Sequence, residues 1–182
     1  MLQTARFVFT ACAIMMAATS AQAAPRDVGE AIPNPFTLTT PSKVSVGFDE
    51  VKGDKGLIIL FVRSLNWCPY CIQQVKEWDG RFEKLRKAGY NVITVSYDSP
   101  NTLLKAREKH DITLPTYADY GSEMIQAFDI LNRDYTEEDV KFYGIPHPTI
   151  YVVDTNGIIT HRFAEEGYKK RPKANTVVDA VM

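Results

Sequence analysis

Two cysteines separated by two residues are the feature of this sequence that most directly suggests chemistry. Cys68 and Cys71 enclose Pro69 and Tyr70, and Trp67 precedes them. One helical turn brings cysteines at this spacing together, so they can close a small disulfide. If Cys68 begins a helix, the unpaired backbone N–H groups and the helix dipole stabilise its thiolate. We therefore expect Cys68 to be an exposed nucleophile and Cys71 the more buried resolving thiol.

Two other interpretations of the cysteine pair are a structural disulfide and half of a zinc site. A zinc site needs two further ligands, and the chain has no second closely spaced cysteine pair. Besides carboxylates, the side chains left to complete such a site are His110, His147 and His161. We expect no metal ion and no other cofactor.

The pattern around the pair places it between a strand and a helix. Residues 57–62 form a continuous apolar run, which predicts a buried central strand. After Cys71, apolar residues recur every three or four positions, which predicts an amphipathic helix ending near Gly89. A redox-active Cys-x-x-Cys motif requires this strand-to-helix context.

The remaining chain alternates between strand and helix patterns. Residues 36–39 and 44–46 predict a short N-terminal β-hairpin. The other predicted strands are 91–97, 114–118, 149–153 and 158–163, and the other predicted helices are 100–110, 121–130 and one within 172–182. This order predicts one α/β domain over residues 24–182, with a central mixed sheet flanked by helices. The acidic run at 137–139 is interpreted as part of a solvated loop.

Residues 1–23 have the composition of a secretory signal peptide. Arg6 precedes an apolar run at 7–18, and residues 21–23 form a small-x-small cleavage pattern. The run is too short for a comfortable membrane span. An uncleaved anchor is the alternative, and Cys12 is either a lipid-attachment site or an incidental apolar residue. We expect a cleaved, exported product without stable membrane insertion, periplasmic in a Gram-negative bacterium and otherwise secreted.

Composition excludes several other classes. The chain has 182 residues and a net charge of −1, so its overall charge gives no reason to bind nucleic acid. Apolar residues make up 45% of the chain, which is typical of a globular domain and not of a disordered one. The cysteines are too few to build a disulfide-stapled scaffold.

The Trp-Cys-Pro-Tyr-Cys motif resembles the active-site motif of the thioredoxin superfamily. The wider segment 61–71 is similar to the redoxin branch, the alkyl hydroperoxide reductase/thiol-specific antioxidant (peroxiredoxin-like) family. So are residues 144–149 followed by 153–157, and the resemblance covers about residues 33–170. It implies a thioredoxin-like fold with a dithiol-disulfide centre.

The resemblance also implies a substrate surface beside the cysteines. In this fold a cis-proline faces the redox pair; Pro148 matches that position, and Pro146 is the alternative. A cis bond there would leave the backbone at His147 open to a substrate peptide, although His147 is equally consistent with a surface residue. The candidate substrate-binding residues are Trp67, Pro69, Tyr70, His147 and Pro148.

The chain departs from both well-known members of the group. Peroxiredoxins carry P-x-x-x-[ST]-x-x-C, but here Phe61 and Leu65 occupy the proline and hydroxyl positions. Arg63 and Ser64 are candidates to replace the missing peroxide-polarising groups. Thioredoxins usually place a buried carboxylate six residues before the first cysteine, where this chain has Val62. The proton of the second cysteine must then go elsewhere, with Glu77 and water as candidates.

The leading functional prediction is an exported thiol-disulfide oxidoreductase. The Cys68 thiolate would attack a substrate disulfide, and Cys71 would resolve the mixed disulfide. The alternative is a peroxiredoxin-like thiol peroxidase, in which Cys68 becomes a sulfenic acid that condenses with Cys71. Either enzyme takes a protein or small-molecule disulfide or peroxide as substrate and needs a redox partner protein. A non-catalytic binding module is a third possibility, which the intact cysteine pair disfavours.

The signal-peptide interpretation predicts that the exported protein begins at Ala24. N-terminal sequencing of the exported form tests this directly. A sequence starting at Met1 would contradict cleavage.

Overall fold

The computed structural model describes residues 24–182, which form one mixed β-sheet with helices on both faces. The predicted signal peptide at 1–23 lies outside the described residues. The strands are β1 (Leu38–Thr39), β2 (Ser45–Val46), β3 (Gly56–Phe61), β4 (Tyr90–Ser96), β5 (Thr116–Ala118), β6 (Thr149–Val153) and β7 (Ile159–Ala164). The helices are α1 (Phe48–Val51), α2 (Pro69–Lys87), α3 (Pro100–His110), α4 (Glu123–Ala127) and α5 (Ala174–Val181).

The described strands are ordered β2-β1-β5-β4-β3-β6-β7 across the sheet. β3 runs parallel to β4 and antiparallel to β6, so it lies inside the sheet with a neighbour on each side. β1 and β2 form the predicted hairpin, which joins the sheet through an antiparallel contact between β1 and β5. The predicted mixed sheet is confirmed.

β3 is buried on both faces, as its uninterrupted apolar sequence predicts. Alternate side chains of a strand point to opposite faces. Ile58 and Leu60 therefore pack on one face, with residues of α2, α3 and α5. Ile59 and Phe61 pack on the other, with residues of α1 and α4. The chain leaves β3 directly into the loop that carries the cysteine pair.

Helix α2 begins at the cysteine pair and presents one apolar face to the sheet. Cys68 is its N-cap and Pro69 its first residue. A proline fits this position because the N–H group it lacks would have no partner within the helix. Val75 and Trp78 are fully buried against β3. Three basic residues in the last turn suit the negative end of the helix dipole: Lys84, Arg86 and Lys87. The packing of α2 on the sheet thus holds its first turn, which carries the two cysteines, against the core.

Two parts of the chain differ from the sequence prediction. The single-turn helix α1 was not predicted, because four residues are too few to show a helical period. Helix α4 is shorter than the predicted 121–130, since Ser122 has positive φ and the helix ends at Ala127. No helix among the described residues is long and apolar enough to cross a membrane.

Two glycines, one at the start of β3 and one in α2, provide a paired test of the local backbone geometry. Gly56 has a φ of +140°, and a Cβ there would lie 2.0 Å from the Val153 carbonyl oxygen. Gly56→Ala should lower the free energy of unfolding by at least about 2 kcal/mol, since both backbone strain and a clash result. Gly80→Ala, in α2 with open space around it, should raise that free energy by about 0.5–1 kcal/mol. Urea unfolding measures both, and equal effects would contradict the geometry.

Candidate active site

The two cysteines form a disulfide at the start of α2. Their Cα atoms lie 5.3 Å apart. The Cys71 backbone N–H donates to Cys68 Sγ at 3.3 Å, the contact of an N-cap residue with its helix. Cys68 is 2% exposed and Cys71 is fully buried. The expectation of an exposed Cys68 is therefore wrong for the oxidised protein, because both sulfurs belong to the core that includes Val75 and Trp78.

A buried carboxylate holds the loop before the cysteines. Asp98, just after β4, accepts hydrogen bonds from the Ser64 hydroxyl at 2.8 Å, the Leu65 N–H at 2.8 Å and the Ser96 hydroxyl at 2.9 Å. Burial raises the pKa of Asp98 even though these donors favour its charged form. The Ser64 hydroxyl also accepts from the Asn66 N–H at 3.0 Å. Ser64 thus supports the loop, and the expectation that it polarises a peroxide is not met.

Arg63 lies buried among aromatic rings beside the disulfide loop. Its guanidinium carbon is 4.4 Å from the Tyr168 ring centre and 5.1 Å from that of Trp67. Such cation–π contacts favour a positive charge that has lost its water. Tyr135 accepts a long hydrogen bond of 3.5 Å from Nη2. Within residues 24–182, Nε of Arg63 has no hydrogen-bond partner and the side chain makes no ion pair.

Trp67 anchors a second segment over the site. Its indole N–H donates to the Tyr97 hydroxyl at 3.0 Å, and that hydroxyl donates to the Lys141 carbonyl. The Trp67 ring also meets Phe142 edge-on, with centroids 5.0 Å apart, and Phe142 packs on Tyr135. The solvated-loop interpretation holds for the acidic residues, which are exposed, but it missed the aromatic residues of the same loop.

Arg171 approaches the disulfide from the segment between β7 and α5. Its Nη2 lies 3.5 Å from Cys71 Sγ. Burial and, to a smaller extent, the nearby positive charge of Arg63 together lower the pKa of Arg171 to about 10. Sequence reasoning did not single out Arg171, because it lies 100 residues from Cys71 along the chain.

The segment before β6 corrects one expectation. Among the described residues the cis peptide bond is Asn34–Pro35, so the predicted cis bond between His147 and Pro148 is wrong. His147 N–H donates to the Ile130 carbonyl at 2.7 Å, and the His147 carbonyl accepts from Thr149 Oγ1 at 3.0 Å. The backbone at His147 is thus already paired, although its exposed side chain is accessible.

The other predicted site residues lie around the entrance to α2. Pro69 and Tyr70 are exposed, and the Tyr70 ring meets Tyr168 edge-on. Glu77 Oε1 accepts from the Ala174 N–H at the start of α5, and a role for Glu77 as proton acceptor for the second cysteine stays a prediction. The substrate-binding roles assigned to Trp67 and to the exposed residues stay predictions. No group of three or more His, Cys, Asp or Glu side chains within residues 24–182 is arranged to hold a metal ion.

Comparison with known proteins places this arrangement in a family. The model of the AhpC/TSA family matches residues 28–162. The chain belongs to the AhpC/TSA family. Its solved structural neighbours include a peroxiredoxin-like protein from Aquifex aeolicus, with a TM-score of 0.73, 20% identity and 88% of each chain covered. Peroxidoxin BcpB from Mycobacterium tuberculosis also has a TM-score of 0.73, at 13% identity, over 85% of this chain and 96% of its own. The predicted thioredoxin-like fold is confirmed.

Curated AhpC/TSA relatives are distant in sequence. Peroxiredoxin Bcp of Escherichia coli K12 is 23% identical over 76% of this chain and 86% of its own. Chloroplastic peroxiredoxin Q of Gentiana triflora is 25% identical over 70% of this chain and 55% of its own. The chain thus spans just over half the length of such plant relatives.

The buried Asp98 carboxylate predicts a pH dependence of stability. Its pKa is raised on folding, so between the unfolded and folded values the folded protein binds more protons. The free energy of unfolding must then fall as pH rises through that interval. Asp98→Asn removes this titration, while Asp119, whose pKa burial also raises, is common to both proteins. The difference in unfolding free energy, wild type minus Asp98→Asn, should decrease as pH rises from about 4.

Denaturant titrations at a series of pH values measure this difference. Asp134→Asn, at an exposed carboxylate, is the control and should give a difference that does not vary with pH. If the difference between wild type and Asp98→Asn also does not vary with pH, Asp98 ionises as easily in the folded chain as in the unfolded one.

Proposed function

We propose that this protein is a thiol peroxidase in which Cys68 reduces a hydroperoxide and Cys71 resolves the product. The observation that carries the proposal is the burial of the disulfide, with Cys68 2% exposed and Cys71 not exposed. A hydroperoxide as small as hydrogen peroxide needs far less access than a disulfide in a folded protein. Family membership and the peroxiredoxin names of the curated relatives support the same activity.

The surroundings of Cys68 suit an attack by thiolate. Its sulfur occupies the N-cap of α2 and accepts the Cys71 N–H, so a negative charge there faces the positive end of the helix dipole. The thiolate attacks the terminal peroxide oxygen; an S–O bond forms as the O–O bond breaks. The departing alkoxide or hydroxide takes a proton from water, leaving Cys68 as a sulfenic acid. The buried guanidinium of Arg63 beside the loop adds positive charge to the region where negative charge develops.

The cycle closes with the two cysteines and a reductant. The Cys71 sulfur attacks the sulfenic sulfur; the disulfide forms and water leaves. A dithiol protein or a small thiol then reduces the disulfide by thiol-disulfide exchange, and that reductant becomes the oxidised product. The redox partner protein expected from the sequence belongs to this last step.

Thiol-disulfide oxidoreduction is the second candidate function. The observation that favours it is the pair of substitutions at the peroxiredoxin signature, where Phe61 and Leu65 replace proline and a hydroxyl residue. Both side chains are buried and apolar, so neither can bind a peroxide oxygen. The sequence favoured this activity over peroxide reduction; the comparisons and the buried disulfide reverse that order.

Export is part of the proposed function and rests on the sequence of residues 1–23. An exported peroxidase would meet peroxides outside the cytosol and would need its reductant in the same compartment. Cell fractionation with an antibody to the mature chain tests the location. Recovery only in the cytosolic fraction would contradict it.

Two substrates offered side by side separate the candidate functions. The protein reduced with dithiothreitol should react with hydrogen peroxide at least about tenfold faster than with a model peptide disulfide, a difference of about 1.4 kcal/mol in activation free energy. Stopped-flow tryptophan fluorescence can follow both reactions, because Trp67 adjoins the cysteine pair.

Cys68→Ser is the matched control and should abolish both reactions. A faster reaction with the peptide disulfide would favour the oxidoreductase over the peroxidase. Peroxide consumption that persists in Cys68→Ser would remove Cys68 from the mechanism altogether.

A further inference from the structure

The geometry points to Arg171 as a further catalytic residue, which holds Cys71 as a thiolate for the resolving step. This inference rests on the proposed function, since that step follows oxidation of Cys68. The contact that carries it joins Arg171 Nη2 to Cys71 Sγ at 3.5 Å. In the disulfide this is a weak hydrogen bond to a neutral sulfur. After reduction the same N–H would face an anion, and hydrogen bonds to charged groups are about twice as strong.

The Arg171 side chain is held in place by its own segment. Its Nη1 donates to the Lys170 carbonyl at 2.9 Å and to the Tyr168 carbonyl. Pro172 follows and is buried, which fixes the backbone at the end of the turn. Two carbonyls thus bind one end of the guanidinium and leave Nη2 directed at the sulfur. This orientation needs no carboxylate.

The charge balance around Arg171 lacks an anion. Within residues 24–182 it makes no ion pair, and its Nε has no hydrogen-bond partner although it is buried. Arg63 brings a second positive charge close enough to lower the pKa of Arg171. Lys169 and Glu77 line the same cleft of about 170 Å³, but Glu77 is bound to the start of α5 and lies 3.6 Å from Arg81. A thiolate at Cys71 would supply the negative charge that this group of cations lacks.

The arrangement also favours ionisation of the buried resolving cysteine. Cys71 is fully buried, and burial in apolar surroundings opposes ionisation of a thiol. Val62 occupies the position where thioredoxins usually place a carboxylate, and it is buried among apolar residues. No base is available there to take the proton. A fixed positive charge next to the sulfur favours loss of the proton to water in place of a base.

The step balances without further reactants. The Cys71 thiolate donates an electron pair to the sulfur of the Cys68 sulfenic acid, and the S–S bond forms. The S–O bond breaks, and hydroxide leaves and takes a proton from solvent to become water. The proton that Cys71 lost earlier on becoming a thiolate equals the one that hydroxide takes up. The sulfenic sulfur is reduced, and Cys71 is oxidised.

Titration of Cys71 alone tests the inference. In a Cys12→Ser, Cys68→Ser background Cys71 is the sole thiol of the chain, and thiolate absorbance at 240 nm follows its ionisation. Adding Arg171→Met should raise the titration midpoint by about one unit or more, the size of a lost opposite charge at this distance. Arg171→Lys should raise the midpoint less than Arg171→Met does, because lysine keeps the positive charge but lacks the planar guanidinium.

Lys169→Met is the matched control. It removes a positive charge from the same segment and cleft. Because Lys169 Nζ lies over the Tyr168 ring and, unlike Arg171, donates no hydrogen bond to the sulfur, the midpoint should stay close to that of the background. Far-ultraviolet circular dichroism checks that each variant is folded; if Arg171→Met is not, Arg171→Gln replaces it. An unchanged midpoint in a folded neutral variant, or an equal rise in Lys169→Met, would overturn the assignment.

A kinetic readout connects the titration to the reaction. Near neutral pH, raising the midpoint by one unit lowers the fraction of Cys71 present as thiolate about tenfold. The more basic thiolate is a better nucleophile, which raises its rate constant about threefold. Disulfide formation after a peroxide pulse should therefore slow about threefold per unit in Arg171→Met with Cys68 and Cys71 intact. The titration needs no peroxide. If peroxide does not react with the protein, the proposed function fails, while the titration still decides the role of Arg171.

Discussion

The buried carboxylate of Asp98 is the interaction on which the site depends. It joins the end of β4 to the loop between β3 and α2 through bonds to the Ser64 hydroxyl and the Leu65 N–H. The position of that loop sets where α2 begins, and the residue before the first turn of α2 is the N-cap, so the loop places the Cys68 sulfur there. Burial makes the carboxylate costly to ionise, so its three donors must be in place for the charged form to persist. The loop cannot move without leaving those bonds unmade.

Around this fixed loop the protein gathers positive charge and aromatic rings. Arg63 lies among Tyr168, Trp67 and Tyr135, while Arg171 contacts the sulfur of Cys71. The two guanidinium groups have no carboxylate partner within residues 24–182. Buried cations without counter-ions are unfavourable. Their cost becomes intelligible if the reduced cysteines carry the negative charge that the described chain does not otherwise provide.

Sequence periodicity predicted most of the frame and little of the site beyond the two cysteines. The apolar run of β3 and the helical pattern that begins at Pro100 in α3 are local signals, and both elements lie where expected. The site depends instead on contacts between distant residues: Ser64 with Asp98 across 34 positions, and Arg171 with Cys71 across 100. Composition and period carry no information about such pairs. The hydrogen bond between the His147 N–H and the Ile130 carbonyl was missed for the same reason, because it joins two separate segments.

In the proposed cycle a peroxide oxidises Cys68, and Cys71 then resolves the sulfenic acid. A variant without the resolving thiol tests this order of events. The Cys71→Ser protein is reduced, freed of reductant, given one equivalent of hydrogen peroxide and treated with dimedone, and the adduct is located by peptide mass spectrometry. We expect a dimedone adduct on Cys68, which the wild type lacks because its disulfide forms first. Cys68 left as an unmodified thiol in Cys71→Ser, with the peroxide unconsumed, would contradict it.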